Sequence, residues 1–134
     1  MKHINGTEIT QWADTLQARS MLPEFIRNLI FSTIEIDKIS RLDFPSGDAV
    51  QKPGYDGILE VTGNNAWVPS GYSVWEVGTD KRPSTKANYD YSKRTYDPLG
   101  TDMENTVYVF VTPRRWSGKQ AWITQKNVSV KARV

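Results

Sequence analysis

Apolar residues at Ile9, Trp12, Ala13 and Leu16 recur at i, i+3, i+4 and i+7, the stripe of a helix packed on one side, and predict a helix over about residues 8–18. Asn5 or Thr7 can serve as its N-cap. The stripe repeats at Leu22, Phe25, Ile26, Leu29 and Ile30 behind Ser20 and Pro23, so the opening reads as two short helices or one kinked helix. After Ile34, Ile36 and Ile39 comes FPSGDAVQKPGYDG, whose prolines and glycines exclude continuous regular structure.

The period then changes. Ile58, Leu59 and Val61 precede a Gly63-Asn64-Asn65 turn and predict a strand at about 56–62. Residues 73–77, Ser-Val-Trp-Glu-Val, predict a second strand, joined to the first as a hairpin. Residues 83–95 have helical spacing, with Ala87, Tyr91 and Arg94 on one side and Lys86, Asp90 and Lys93 on another. Residues 106–112, Thr-Val-Tyr-Val-Phe-Val-Thr, are the strongest β run and predict a strand buried on both faces at the centre of the sheet. Pro113 stops it, and residues around Trp122 are expected to add a short edge strand. The expected fold is therefore α/β, a mixed sheet flanked by helices in the order α-β-β-α-β, as one domain spanning 1–134.

Composition narrows the chemistry. The chain has no cysteine and a single histidine, His3, which excludes disulfides, thiolate metal sites and Ser-His-Asp catalysis. Catalysis would have to rest on carboxylates, lysines, hydroxyls or an oxygen-ligated metal. No apolar run is long enough to span a membrane, and the N-terminus lacks an apolar export core, so a soluble, cytoplasmic protein without a membrane partner is expected. The net charge of +2 hides an asymmetry: eleven Lys/Arg face fifteen Asp/Glu up to Glu104, while the last thirty residues carry six basic residues and no acid. Such a tail fits an anionic partner, although solvated lysines on an ordinary face are the commoner explanation. The patterns Asn5-Gly-Thr7 and Asn127-Val-Ser129 match a glycosylation acceptor, but nothing else points to secretion.

Two acids stand out. Asp56 opens one strand and Glu76 lies inside an apolar one between Trp75 and Val77. A carboxylate in such surroundings costs several kcal/mol unless it is paired, protonated or bound to a cation. Converging from adjacent strands, the two would suit Mg²⁺ or Mn²⁺. A Glu facing solvent from an edge and an Asp beside glycine in a turn are the ordinary alternatives, and residue type alone favours them.

The segments PGYDG, VPSGYSVWEVGT, KANYDYSKRT and VYVFVTPRRW, in that order, resemble a restriction-endonuclease-like module of the PD-(D/E)xK superfamily. Similar modules stand at the N-termini of large bacterial NTPases that look like anti-phage defence factors. The resemblance covers roughly residues 7 to 125. It implies a metal-dependent nuclease acting on nucleic acid, DNA before RNA, in bacterial defence, with Asp56 and Glu76 holding Mg²⁺ or Mn²⁺. It also implies a lysine two positions after the second acid, alternating onto the same face. That position is Gly78. Some members resembling this chain supply the cation from the neighbouring helix, which makes Lys86 the first candidate and Lys93 the second. An ion pair with Asp90 is the plainer role for either. Lys93, Arg94, Arg114, Arg115 and Lys119 are the candidate phosphate contacts. Trp116 and Trp122 are candidates for stacking on a base, with burial in the core the commoner fate. Glu24 and Glu60 are weaker ligand candidates. Thr79 and Ser84 read as turn or capping hydroxyls. Proteins resembling this one continue past TPRRW into a further strand and helix. The chain is thus expected to belong to a larger NTPase protein or to cover its last edge by homo-oligomerisation. Loss of the lysine at Gly78 defines the alternative: an inactive module of the same fold that binds nucleic acid or a protein partner.

Overall fold

The computed structural model describes residues 5–45 and 54–128. His3, most of the turn-rich stretch before Gly54, and the final residues of the chain lie outside them. Ten elements follow one another: α1 (Gly6–Ala13), α2 (Leu16–Thr33), a 3₁₀ turn (Ile36–Lys38), β1 (Ile39–Asp43), β2 (Gly57–Val61), β3 (Gly71–Val77), α3 (Pro83–Tyr96), a 3₁₀ turn (Met103–Asn105), β4 (Thr106–Val111) and α4 (Lys119–Val128). The strands form one sheet in the order β1-β2-β3-β4. β1 and β2, and β2 and β3, pair antiparallel, whereas β3 and β4 pair parallel across α3, as a crossover through a helix requires. The mixed α/β class is as expected.

Several expectations need correcting. Asn5 caps α1 through a capping box with Glu8, but the helix stops at Ala13. Helix α2 already begins at Leu16, because Thr15 Oγ1 donates to the Trp12 carbonyl at 2.7 Å and turns the chain. Pro23 lies inside α2 rather than starting a helix. The sequence Ile-Ser-Arg-Leu-Asp forms the edge strand β1, which the hydrophobic pattern did not reveal because its polar residues face solvent. The order is thus α-α-β-β-β-α-β-α rather than α-β-β-α-β. β4 is not the centre of the sheet: it pairs only with β3 among the described strands, and β3 is the strand buried on both faces. Residues 120–124 are not a strand but part of α4.

Alternation along β3 divides the core. Trp75 joins α2 residues Leu22, Ile26 and Ile30 with Phe44 and Leu59 on one face, and Val74 joins Ala87, Tyr91, Tyr108 and Trp122 on the other. The Trp75 indole N–H is satisfied by Ser73 Oγ at 2.8 Å. Phe44 packs edge-on against Trp75, with ring centroids 5.4 Å apart, directly over Gly57. A β-carbon at Gly57 would stand 2.1 Å from Phe44 Cε1, so the strand that follows Asp56 can pass under the ring only as glycine. Gly57→Ala is expected to destabilise the fold by about 1–3 kcal/mol through overpacking, a loss that urea denaturation would register whether or not divalent ions are present.

Candidate active site

The β2–β3 register pairs Gly57 with Trp75, so the residue before Gly57 comes level with the residue after Trp75. Asp56 and Glu76 are thereby brought together at one end of the sheet. Asp56 is fixed by its backbone neighbour: its Oδ2 accepts the Val77 N–H at 2.9 Å. Glu76 falls on the α3 face of β3 and is buried at 6% exposure, where its Oε1 accepts from Arg94 Nε at 2.7 Å. Arg94, in the last turn of α3, also donates from Nη2 to the Gly54 carbonyl and lies over the Tyr55 ring, 4.9 Å from its centroid. Asp56, Glu76, Lys86, Asp90, Lys93 and Arg94 all border one cleft of about 650 Å³.

Lys86 enters this cleft from the start of α3. Gly78 extends β3, its N–H donating to the Val111 carbonyl at 3.0 Å, and lies two residues beyond Glu76 on the same face. A β-carbon at Gly78 would stand 2.7 Å from Lys86 Cγ and 3.3 Å from Lys86 Cε. The aliphatic stem of Lys86 therefore occupies the space that a side chain at 78 would fill. Its ammonium donates to Asp90 Oδ1 at 2.9 Å. The other carboxylate oxygen, Asp90 Oδ2, is buried and takes no hydrogen bond among the described residues.

Charge in the cleft is unevenly matched, since two adjoining carboxylates share the one guanidinium that reaches Glu76. Burial first, and then the negative charge of Asp56, push the Glu76 carboxyl up from 4.5 to about 8 against the pull of Arg94. Burial likewise raises Asp90, opposed by Lys86. The sign of the linkage follows: between about 4.5 and about 8 the folded protein holds a proton that the unfolded chain has released, so stability falls as pH rises through that window. Thermal melts without divalent ions are expected to show Tm decreasing over this range, and Glu76→Gln is expected to flatten the decrease.

The other candidates lie elsewhere. Lys93 is exposed on the cleft rim, whereas Arg94 is spent on Glu76 instead of being presented to solvent. Arg114, Arg115 and Lys119 border a separate groove along β4. Arg114 serves as an internal tie there, donating to Asp14 Oδ1 at 2.7 Å, the Thr79 carbonyl at 2.9 Å and the Ala13 carbonyl at 3.1 Å. Trp122 is buried against Tyr91, with its indole N–H on Asn88 Oδ1 at 2.9 Å, and Trp116 packs between Phe110 and Trp122. Both belong to the second core cluster, the commoner of the two fates weighed for them. Glu24 approaches Arg27 on α2 at 3.9 Å and Glu60 is exposed on β2; neither lines the cleft. Thr79 turns its carbonyl to Arg114, and Ser84 is exposed in the first turn of α3.

Residues that sequence reasoning passed over also border the site. Arg19 of α2 lines the cleft, and Lys81, Arg82 and Tyr89 surround Lys86 on its outer side. The dipeptide Lys81-Arg82 immediately before a helix after the second acid was the available signal.

Among the described residues no helix is long and apolar enough to cross a membrane. Comparison with protein-family models, curated proteins and solved structures returns no match.

Proposed function

We infer that the cleft is the active site of a metal-dependent nuclease, hydrolysing phosphodiester bonds of nucleic acid, with DNA the first substrate to test. The observation that carries this reading is the replacement at Gly78: Lys86 reaches from α3 into the space where the resemblance implies a lysine, beside the two acids on β2 and β3. The order of the parts, an acid opening one strand and a second acid within its antiparallel neighbour, supports the restriction-endonuclease-like core.

The donor set suits a hard divalent cation. Asp56 and Glu76 offer only oxygen, and Asp90 adds a buried carboxylate oxygen without a hydrogen-bond partner nearby. Among the described residues no three metal-ligating side chains are grouped closely enough to hold an ion on their own, so the reading requires Mg²⁺ to be held by one or two carboxylates together with water and substrate oxygens. When bound, such an ion supplies Lewis-acid polarisation of the phosphodiester and activation of a water. The chain's own residues do the rest. Asp56, held by the Val77 amide, keeps the acid pair in register. Glu76 must give up both its proton and Arg94 to act as a ligand. Lys86 places a positive charge where negative charge develops on phosphate. Lys93 and Arg19 on the cleft, with Lys81 and Arg82 beside it, are the basic side chains open to the nucleic-acid backbone, interspersed with the exposed acids Asp80 and Asp97.

A second reading rests on the Glu76–Arg94 contact. Both side chains are buried, at 8% and 9% exposure, and a guanidinium fixed there takes the place of a cation and leaves a binding module without chemistry. Incubating supercoiled plasmid with Mg²⁺, Mn²⁺ or chelator separates the two. The nuclease reading expects nicking or linearisation that needs the ion and is lost in Asp56→Asn, whereas the binding module retards the plasmid without cutting it.

A further inference from the structure

Among the described residues β4 presents an open edge. It pairs with β3 alone among the described strands. The Val111 carbonyl accepts from Gly78 N–H, so Val111, and by alternation Val109 and Val107, direct their backbone polar groups to β3. The N–H and C=O groups of Tyr108 and Phe110 therefore face the side where no described strand lies. A groove of about 740 Å³ borders β4, lined by Val107, Val109 and Val111 with Trp67 and Trp75 on one face of the sheet and by Phe110, Trp116 and Trp122 on the other. Edge strands are commonly blunted by a lysine, a proline or a bulge. The run Thr106–Val111, TVYVFV, has no charge and no proline.

The charges at the two ends of β4 select its occupant. Asp102 and Glu104 precede it, Arg115 and Lys119 follow it, and all four are exposed. A second copy of β4 laid antiparallel along the edge brings the acidic end of each chain to the basic end of the other, twice over by symmetry. A parallel copy would set like charges side by side. We propose that two copies of the chain pair antiparallel along β4, forming an isologous dimer through one continuous sheet. This assigns a role to Arg115 and Lys119 in the basic stretch after Glu104, and it stands whether or not the cleft is catalytic.

Sedimentation velocity on the full chain across the micromolar range tests the pairing. A reversible dimer is expected, weakened by salt. Val109→Lys, with its secondary structure checked by circular dichroism, places a charge in the groove close to its own symmetry mate, and is expected to raise the dimer dissociation constant at least about tenfold. Glu104→Arg and Arg115→Glu should each weaken the dimer severalfold, and the two together should restore it. A chain that stays monomeric throughout, as when its own tail covers the edge, overturns the proposal. So does a dimer indifferent to Val109→Lys, or one in which the double charge reversal fails to recover the loss caused by either single change.

Discussion

Replacing Lys86 by alanine is expected to lower metal-dependent cleavage by about 100- to 1000-fold, the usual loss when one preorganised charge is withdrawn from a developing anion. If Lys86 only braced α3 through Asp90, an i, i+4 pair worth about 0.2–0.5 kcal/mol, cleavage would hardly change. The geometry at Gly78 gives a sharper test. Because a β-carbon there would stand 2.7 Å from Lys86 Cγ, Gly78→Lys alone should cost about 1–3 kcal/mol of stability by overpacking. In the Lys86→Ala background that space is vacated, and Gly78→Lys should return a clear part of the lost rate by supplying the ammonium from β3. Steady-state cleavage rates of the four proteins at saturating Mg²⁺ give the answer. No recovery in a folded double variant would separate Lys86 from the role assigned to it.

At pH above about 8, where Glu76 ionises, replacing Arg94 by methionine is expected to destabilise the metal-free protein by about 3–5 kcal/mol, since it removes one partner of a buried charged contact and leaves the other without compensation. Glu76 would then adjoin Asp56 without the guanidinium that binds it, and a divalent cation would have the most to offer. The thermal shift produced by Mg²⁺ or Mn²⁺ should therefore be larger in Arg94→Met than in the wild type. If the variant melts too low to measure, Arg94→Lys keeps a charge without the fork-shaped contact to Glu76 and the Gly54 carbonyl. An unchanged ion response in both variants would mean that Glu76 is not a ligand.

Elements with an uninterrupted period were legible in the sequence: β2, β3 and α3 fall within one or two residues of their expected bounds. The two acids were legible for a physical reason, since Glu76 broke an apolar strand and Asp56 opened its partner, and the register then aligned them. What escaped depended on tertiary context. β1 is short and polar on its outer side, so no alternation announced it. β4 reads as a central strand because its outer side is as apolar as its inner side, yet no neighbour flanks it among the described residues. Arg94 reads as a phosphate contact in the sequence, because nothing in KANYDYSKRT shows that the last turn of α3 brings its guanidinium onto Glu76. Gly78 leaves two readings open in the sequence, a lysine supplied from α3 or lost chemistry, because spacing alone does not show that the stem of Lys86 lies against Gly78.

Ion-dependent cleavage by wild type and Glu76→Ala, measured side by side on supercoiled plasmid with Mg²⁺ and Mn²⁺ at pH above about 8, where Glu76 is free to ionise, tests the central claim most directly. The account predicts cutting that requires the ion and is abolished by Glu76→Ala while plasmid retardation persists. A folded wild-type protein that retards the plasmid without cutting it, and whose melting temperature does not respond to either ion, would contradict the account and leave Arg94 as the permanent partner of Glu76.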